Sequence, residues 1–116
     1  MAATTSTEQG ARRVYGEVGI DGAVTPAAAG TATITSVASS ASSVVLQAAN
    51  TSRLGLAIYN NSTAILYVKF GTTASATSFT LEMAPEDFYE MYVRYTGRID
   101  GIWASANGAA LVTELT

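Results

Sequence analysis

The chain has no cysteine and no histidine, and the two absences together remove whole classes of chemistry. Serine or cysteine nucleophiles activated by imidazole, zinc sites built from Cys and His, and haem ligation through either residue are excluded. Without cysteine there are no disulfides to staple a small fold. Charge is scarce as well: Asp, Glu, Lys and Arg make up 13% of the residues, the net charge is −3, and Lys69 is the only lysine. Arg12 and Arg13 are the only adjacent cations, so no basic stripe exists to follow a phosphate backbone, and no nucleic-acid partner is expected. No apolar run approaches the roughly 18–20 residues of a spanning helix, so no membrane partner is expected either. Met1–Glu8 lacks the basic start and apolar stretch of a secretory signal, which makes the cytoplasm the expected place of synthesis.

Half of the 116 residues are Ala, Ser, Thr or Gly, and the 48% hydrophobic content is inflated by alanine, which buries little area. That is enough chain for one domain with a modest core, a size at which association with other copies or a partner adds needed stability. Residues 1–30 read as an extended N-terminal arm, small and polar, with Pro26 before an Ala-Ala-Ala-Gly run. Within it Val14, Val18 and Ile20 share one strand face. Arg12, Arg13, Tyr15 and that patch are candidates for contact with a partner or a neighbouring subunit.

From residue 31 to 116 the period changes to two, in short segments separated by turn residues, which is the pattern of a single antiparallel β-sandwich of seven or eight strands. Thr31–Val37 opens it with Ile34 and Val37 as its apolar set, and Val44–Ala48 follows a Ser-rich spacer. In Arg53–Tyr59, Leu54, Leu56 and Ile58 are the core face while Arg53, Gly55, Ala57 and Tyr59 point away. Asn60-Asn61-Ser62-Thr63 is turn chemistry, and Ala64–Phe70 reads as the hairpin partner of that strand. Phe79, Leu81 and Met83 alternate cleanly in the next segment, Phe88–Val93 resumes after Pro85, and Asn107-Gly108 predicts a hairpin between Arg98–Ala104 and Ala109–Leu115.

Candidate sites are few. Glu82, Glu86, Asp87 and Glu90 form the one carboxylate cluster, without a calcium-loop pattern or flanking sugar-stacking aromatics, so a solvated charged corner is the plainer reading. Ser and Thr have no base, and no catalytic residue, cofactor or metal is expected. Tyr59, Ile65 and Tyr67 fall opposite the apolar faces of their strands, and Phe88 and Tyr92 load the second face of theirs, as at a subunit contact. Trp103 reads as a core anchor.

Asn50–Val68 together with Tyr95–Ala104 resembles a module of small tailed-phage virion structural proteins, in particular capsid cement, or decoration, proteins, over roughly residues 40–115. The resemblance implies a β-sandwich or jelly-roll-like fold, commonly trimeric, that binds the major capsid protein where capsomers meet on the outer surface of the virion. It carries no individual functional residues. A tail or baseplate accessory protein, or a fibre-tip module that binds a glycan, is the alternative.

Overall fold

The computed structural model describes residues 27–116. The arm candidates Arg12, Arg13, Val14, Tyr15, Val18 and Ile20 lie outside them. Eight strands run in the order β1 (Ala32–Ala38), β2 (Val44–Gln47), β3 (Gly55–Asn61), β4 (Leu66–Phe70), β5 (Leu81–Met83), β6 (Phe88–Glu90), β7 (Ile99–Trp103) and β8 (Ala109–Leu115), and there is no helix among the described residues. They form two four-stranded antiparallel sheets, β1-β8-β3-β6 and β2-β7-β4-β5. The pairs β1·β8, β2·β7, β3·β6 and β4·β5 nest one inside the next, which is jelly-roll order.

Alternation along each strand drives the two sheets together. Leu56 and Ile58 of β3, Ala110 and Val112 of β8, Leu66 and Val68 of β4, and Ile99 and Trp103 of β7 are buried between the layers. Phe70, stacked on Tyr95 at 4.9 Å between ring centres and edge-on to Tyr89 at 6.2 Å, extends that core. Trp103 is the core anchor its sequence context suggests.

Two expected hairpins do not form. Strands β3 and β4 lie in different sheets, as do β7 and β8, and among the described residues β4 and β5 are the only consecutive strands that pair. The turn residues are used instead as corners that carry the chain from one layer to the other. At the end of β3 the Asn60 side chain is fully buried: Nδ2 donates to the carbonyls of Ala64 (2.9 Å), Met83 (3.1 Å) and Ala84 (3.0 Å). Its Oδ1 accepts from Ser62 Oγ (2.7 Å) and from Trp103 Nε1 (3.2 Å) in the other sheet. A buried amide that binds across layers rewards a corner more than a two-residue hairpin turn would. Gly108, at φ +80°, packs over this corner so closely that a Cβ would lie 2.3 Å from the Asn61 carbonyl oxygen.

Three further expectations are corrected. Ile34 is 69% exposed, because it lies opposite Thr113 on the outer face of the first sheet, whereas Val37, of the other parity and opposite buried Ala110, packs against the core. Arg53 is completely buried, for reasons given below. The alternation through Phe79 breaks, since the strand begins at Leu81 and Phe79 belongs to the preceding loop, while the Phe88–Val93 strand ends at Glu90.

Backbone strain differs in sign at two turns. Pro85 and Glu86 occupy the centre of a turn closed by the Asp87 N–H on the Ala84 carbonyl (3.0 Å), and Glu86 takes φ +66°, a position that favours glycine. Glu86→Gly is therefore expected to stabilise the fold by about 0.5–1 kcal/mol, while Gly108→Ala costs about 2 kcal/mol or more. Urea denaturation of the two variants checks both signs.

Candidate interaction surface

The outer faces of the two sheets differ in kind. On the second sheet the outward side chains are Val45, Tyr67, Lys69, Glu82, Asp100 and Ile102, and the loop Gly71–Thr80 folds over part of them. Phe79 of that loop lies on Tyr67 with ring centres 5.0 Å apart. Lys69 Nζ donates to Ser78 Oγ (2.8 Å) and the Thr73 carbonyl (3.3 Å). Asp100 is buried although it points outward: it accepts from Arg98 Nε (2.7 Å) and Nη2 (3.1 Å) and from the Thr73 N–H (2.7 Å). This face carries three charged residues beside Val45, Tyr67 and Ile102, and is partly roofed by the loop.

The first sheet has no such roof among the described residues. Strand register places Ser36, Leu111, Tyr59 and Phe88 side by side in one row, and Ile34, Thr113, Ala57 and Glu90 in the next. Ala32, Leu115 and Gly55 make a third row, and Ala38, Ala109 and Asn61 a fourth. Glu90 is the single charged residue on the whole face. Phe88 is 64% exposed and sits at the centre of the apolar stripe's free end. A sheet face this apolar, with a single charge and no cover among the described residues, has the composition of an interface core.

Beside it stands a clamped loop. After Glu90 the N–H of Met91 still donates to the Leu56 carbonyl (2.9 Å), then the chain leaves the sheet at Tyr92, 88% exposed, and Val93, 61% exposed. The return is pinned from two directions. Arg94 donates through Nε to the Arg53 carbonyl (2.6 Å) and through Nη2 to Thr51 (2.8 Å). Beneath it the buried Arg53 guanidinium donates to the carbonyls of Tyr95 and Gly97 (2.9 Å each) and Ala48 (2.5 Å), and pairs with Glu114 Oε2 through Nε at 2.9 Å. The return leg is thus tied down directly after an exposed aromatic and an exposed aliphatic side chain, and pre-ordering of the backbone lowers the entropy lost when such side chains bind.

Of the sequence-derived candidates, Tyr59 and Phe88 are thus brought together on the first sheet, while Tyr92 is exposed in the loop after β6, next to Tyr89. Ile65 and Tyr67 are not: both belong to the outer side of the second sheet, so the expected patch shared by Tyr59 and Tyr67 does not exist. Ile34, Leu111, Leu115 and Val93 complete the surface and were missed. The first three show their role only once β1, β8 and β3 are known to be neighbours.

The carboxylate cluster disperses. Glu82 is on the outer face of one sheet, Glu90 on that of the other, and Glu86 and Asp87 are in the turn between, where Asp87 Oδ2 accepts from the Ala84 N–H (2.8 Å). Among the described residues no group of three or more such ligands is placed to hold a metal ion. A shallow depression of about 350 Å³ lies at the corners, lined by Asn61, Ser62, Thr63, Glu86, Asn107 and Gly108. Thr63 donates twice to Asn107 Oδ1, from its N–H and its hydroxyl at 2.8 Å each, so part of the polar lining is spent internally. No aromatic ring lines it for a sugar to stack on. All four cations of the described residues, Arg53, Lys69, Arg94 and Arg98, are engaged in the internal bonds given above.

No family model, curated protein or solved structure matches the chain. Among the described residues, fold and surface together define an eight-stranded jelly-roll sandwich with one partly roofed face and one bare, largely apolar face.

Asp100 gives this architecture a pH signature. Burial alone pushes its carboxyl up, but the Arg98 hydrogen bond, the Thr73 N–H, the Arg98 charge and the Ser43 hydroxyl outweigh that and hold it below the usual Asp range. A lowered folded-state value stabilises above the unfolded value near 4 and is lost as pH falls through the folded one. Asp100→Asn should cost about 1–2 kcal/mol at pH 7, and the gap from the unsubstituted protein should close below about pH 4. Denaturation midpoints measured from pH 2 to pH 7 test this.

Proposed function

We propose that the protein is a non-enzymatic assembly module, a cement or decoration protein that binds the major capsid protein on the outer shell of a phage head and stabilises it. The observation that carries the reading is the bare first-sheet face, apolar through Ile34, Leu111, Tyr59 and Phe88, with Tyr92 and Val93 exposed on the loop after β6. A face with one carboxylate has nothing to bind a charged ligand and a great deal to gain from covering apolar area. The resemblance of Asn50–Val68 and Tyr95–Ala104 to phage virion proteins supplies the setting. Jelly rolls are frequent in capsid and lectin domains, and they also serve unrelated functions, so the fold supports the setting without carrying it.

Attachment through such a face is distributed over many small contacts, and it gains from the repetition of sites on a shell, where each bound copy raises the effective concentration of the next contact. Charge introduced into the stripe has the opposite effect. Phe88→Glu and Leu111→Lys should leave the far-ultraviolet circular dichroism unchanged and lower occupancy on reconstituted particles at least about tenfold, as expected for an anchor worth about 1.4 kcal/mol or more. Unchanged occupancy in both variants overturns the reading. Location and copy number in purified particles separate a head protein, present across the shell, from a tail or baseplate component, confined to one vertex.

A further inference from the structure

The four strands at the sheet edges are not equally protected. Strand β2 has four residues and a register shift between Val45 and Gln47. Strand β5 has three, carries Glu82 and is followed by Pro85. Strand β6 also has three and carries Glu90. Shortness, a bulge, charge and proline are the devices that stop a sheet edge from pairing with another chain.

Strand β1 has none of them. It runs seven residues, Ala32–Ala38, in unbroken register with β8. Apart from Val37 every residue in it is exposed, on both faces, and its second backbone edge has no strand among the described residues. No charged residue occurs anywhere between Asp21 and Arg53. A long, regular, neutral edge is a template for one more strand.

We propose that this edge pairs with β1 of a second copy, antiparallel about a two-fold axis, to join the two first sheets into one eight-stranded sheet. The choice of occupant follows from charge. In a two-fold contact each side chain near the axis meets its own counterpart, so a single charged residue there would repel itself; β1 and β2 are the two edge strands without charge, and of these only β1 is long and in unbroken register. Full overlap of the seven residues puts Thr35 on the axis, Ile34 across from Ser36 of the second copy, and Ala32 across from Ala38. Paired Thr residues at the centre suit a cross-strand contact. The bare faces of the two copies become continuous through Ile34, doubling the apolar surface turned to one side.

The contact is small against the roughly 20–30 residues per side of a stable free-standing interface, so the dimer is concentration-dependent in solution. It differs from the three-fold association that the family resemblance implies, and it does not rest on shell binding.

Sedimentation equilibrium of the full chain over a range of concentrations tests it. The expected result is a monomer–dimer equilibrium in which Thr35→Lys raises the dissociation constant at least about tenfold, with the melting temperature unchanged at concentrations where both proteins are monomeric, because Thr35 is exposed. Mixing the Thr35→Lys and Thr35→Glu chains should restore the dimer, since opposite charges then meet at the axis. A trimer, a dimer indifferent to Thr35→Lys, or a monomer at every concentration overturns the proposal. A monomer whose β1 amides are protected from hydrogen exchange would assign the edge to another segment of the same chain.

Discussion

The buried guanidinium of Arg53 is the interaction on which the presented surface depends. It is wholly removed from water at the entrance to β3, and its bonds to Glu114, Ala48, Tyr95 and Gly97 tie together β8, the approach to β3 and the loop that follows β6. A buried cation is tolerated only when its donors and charge are matched, and here one carboxylate and three carbonyls do so. The result is that the loop with Tyr92 and Val93 exposed is tied to the sandwich through Arg94, Tyr95 and Gly97. Asn60 does the equivalent work at the opposite corners, where one amide gathers the ends of β3 and β5 and the Trp103 indole. The two polar nodes let a small core support a jelly roll without disulfides.

That arrangement explains how scarce charge is distributed. The described cations are spent on internal fastening, and one outer face keeps the remaining polar machinery: Asp100 with Arg98, Lys69 with its loop, and Phe79 over Tyr67. The other face is left almost neutral and apolar. A protein that only needed solubility would gain from charge on both faces. One partly roofed face and one bare face suit a molecule that shows one side to water and the other to a protein.

Much of the fold was legible in the sequence because burial imposes a period of two on strands. Leu56, Ile58, Leu66, Val68 and Trp103 all occupy the core that alternation predicts. Strand partners were not legible. Asn60–Thr63 and Asn107-Gly108 have hairpin chemistry, but the same residues serve a corner between layers, and only the distant Trp103 indole and the close backbone contact at Gly108 decide between the two uses. Arg53 misled for a related reason, since its acceptors come from residues more than 40 positions away as well as from nearby Ala48. The interaction surface was half visible: Tyr59, Phe88 and Tyr92 stand out by parity, whereas Ile34 and Leu111 join them only through the β1·β8·β3 register.

The central claim is that the first sheet's outer face is the side that meets another protein. A density map of the protein bound to the proposed phage shell tests this most directly. The account predicts that β1, β8, β3 and β6 lie against the shell with Tyr92 in contact, and that the Gly71–Thr80 loop faces solvent. A bound orientation with the Gly71–Thr80 loop against the shell, and Ile34, Leu111 and Phe88 open to water, would contradict it.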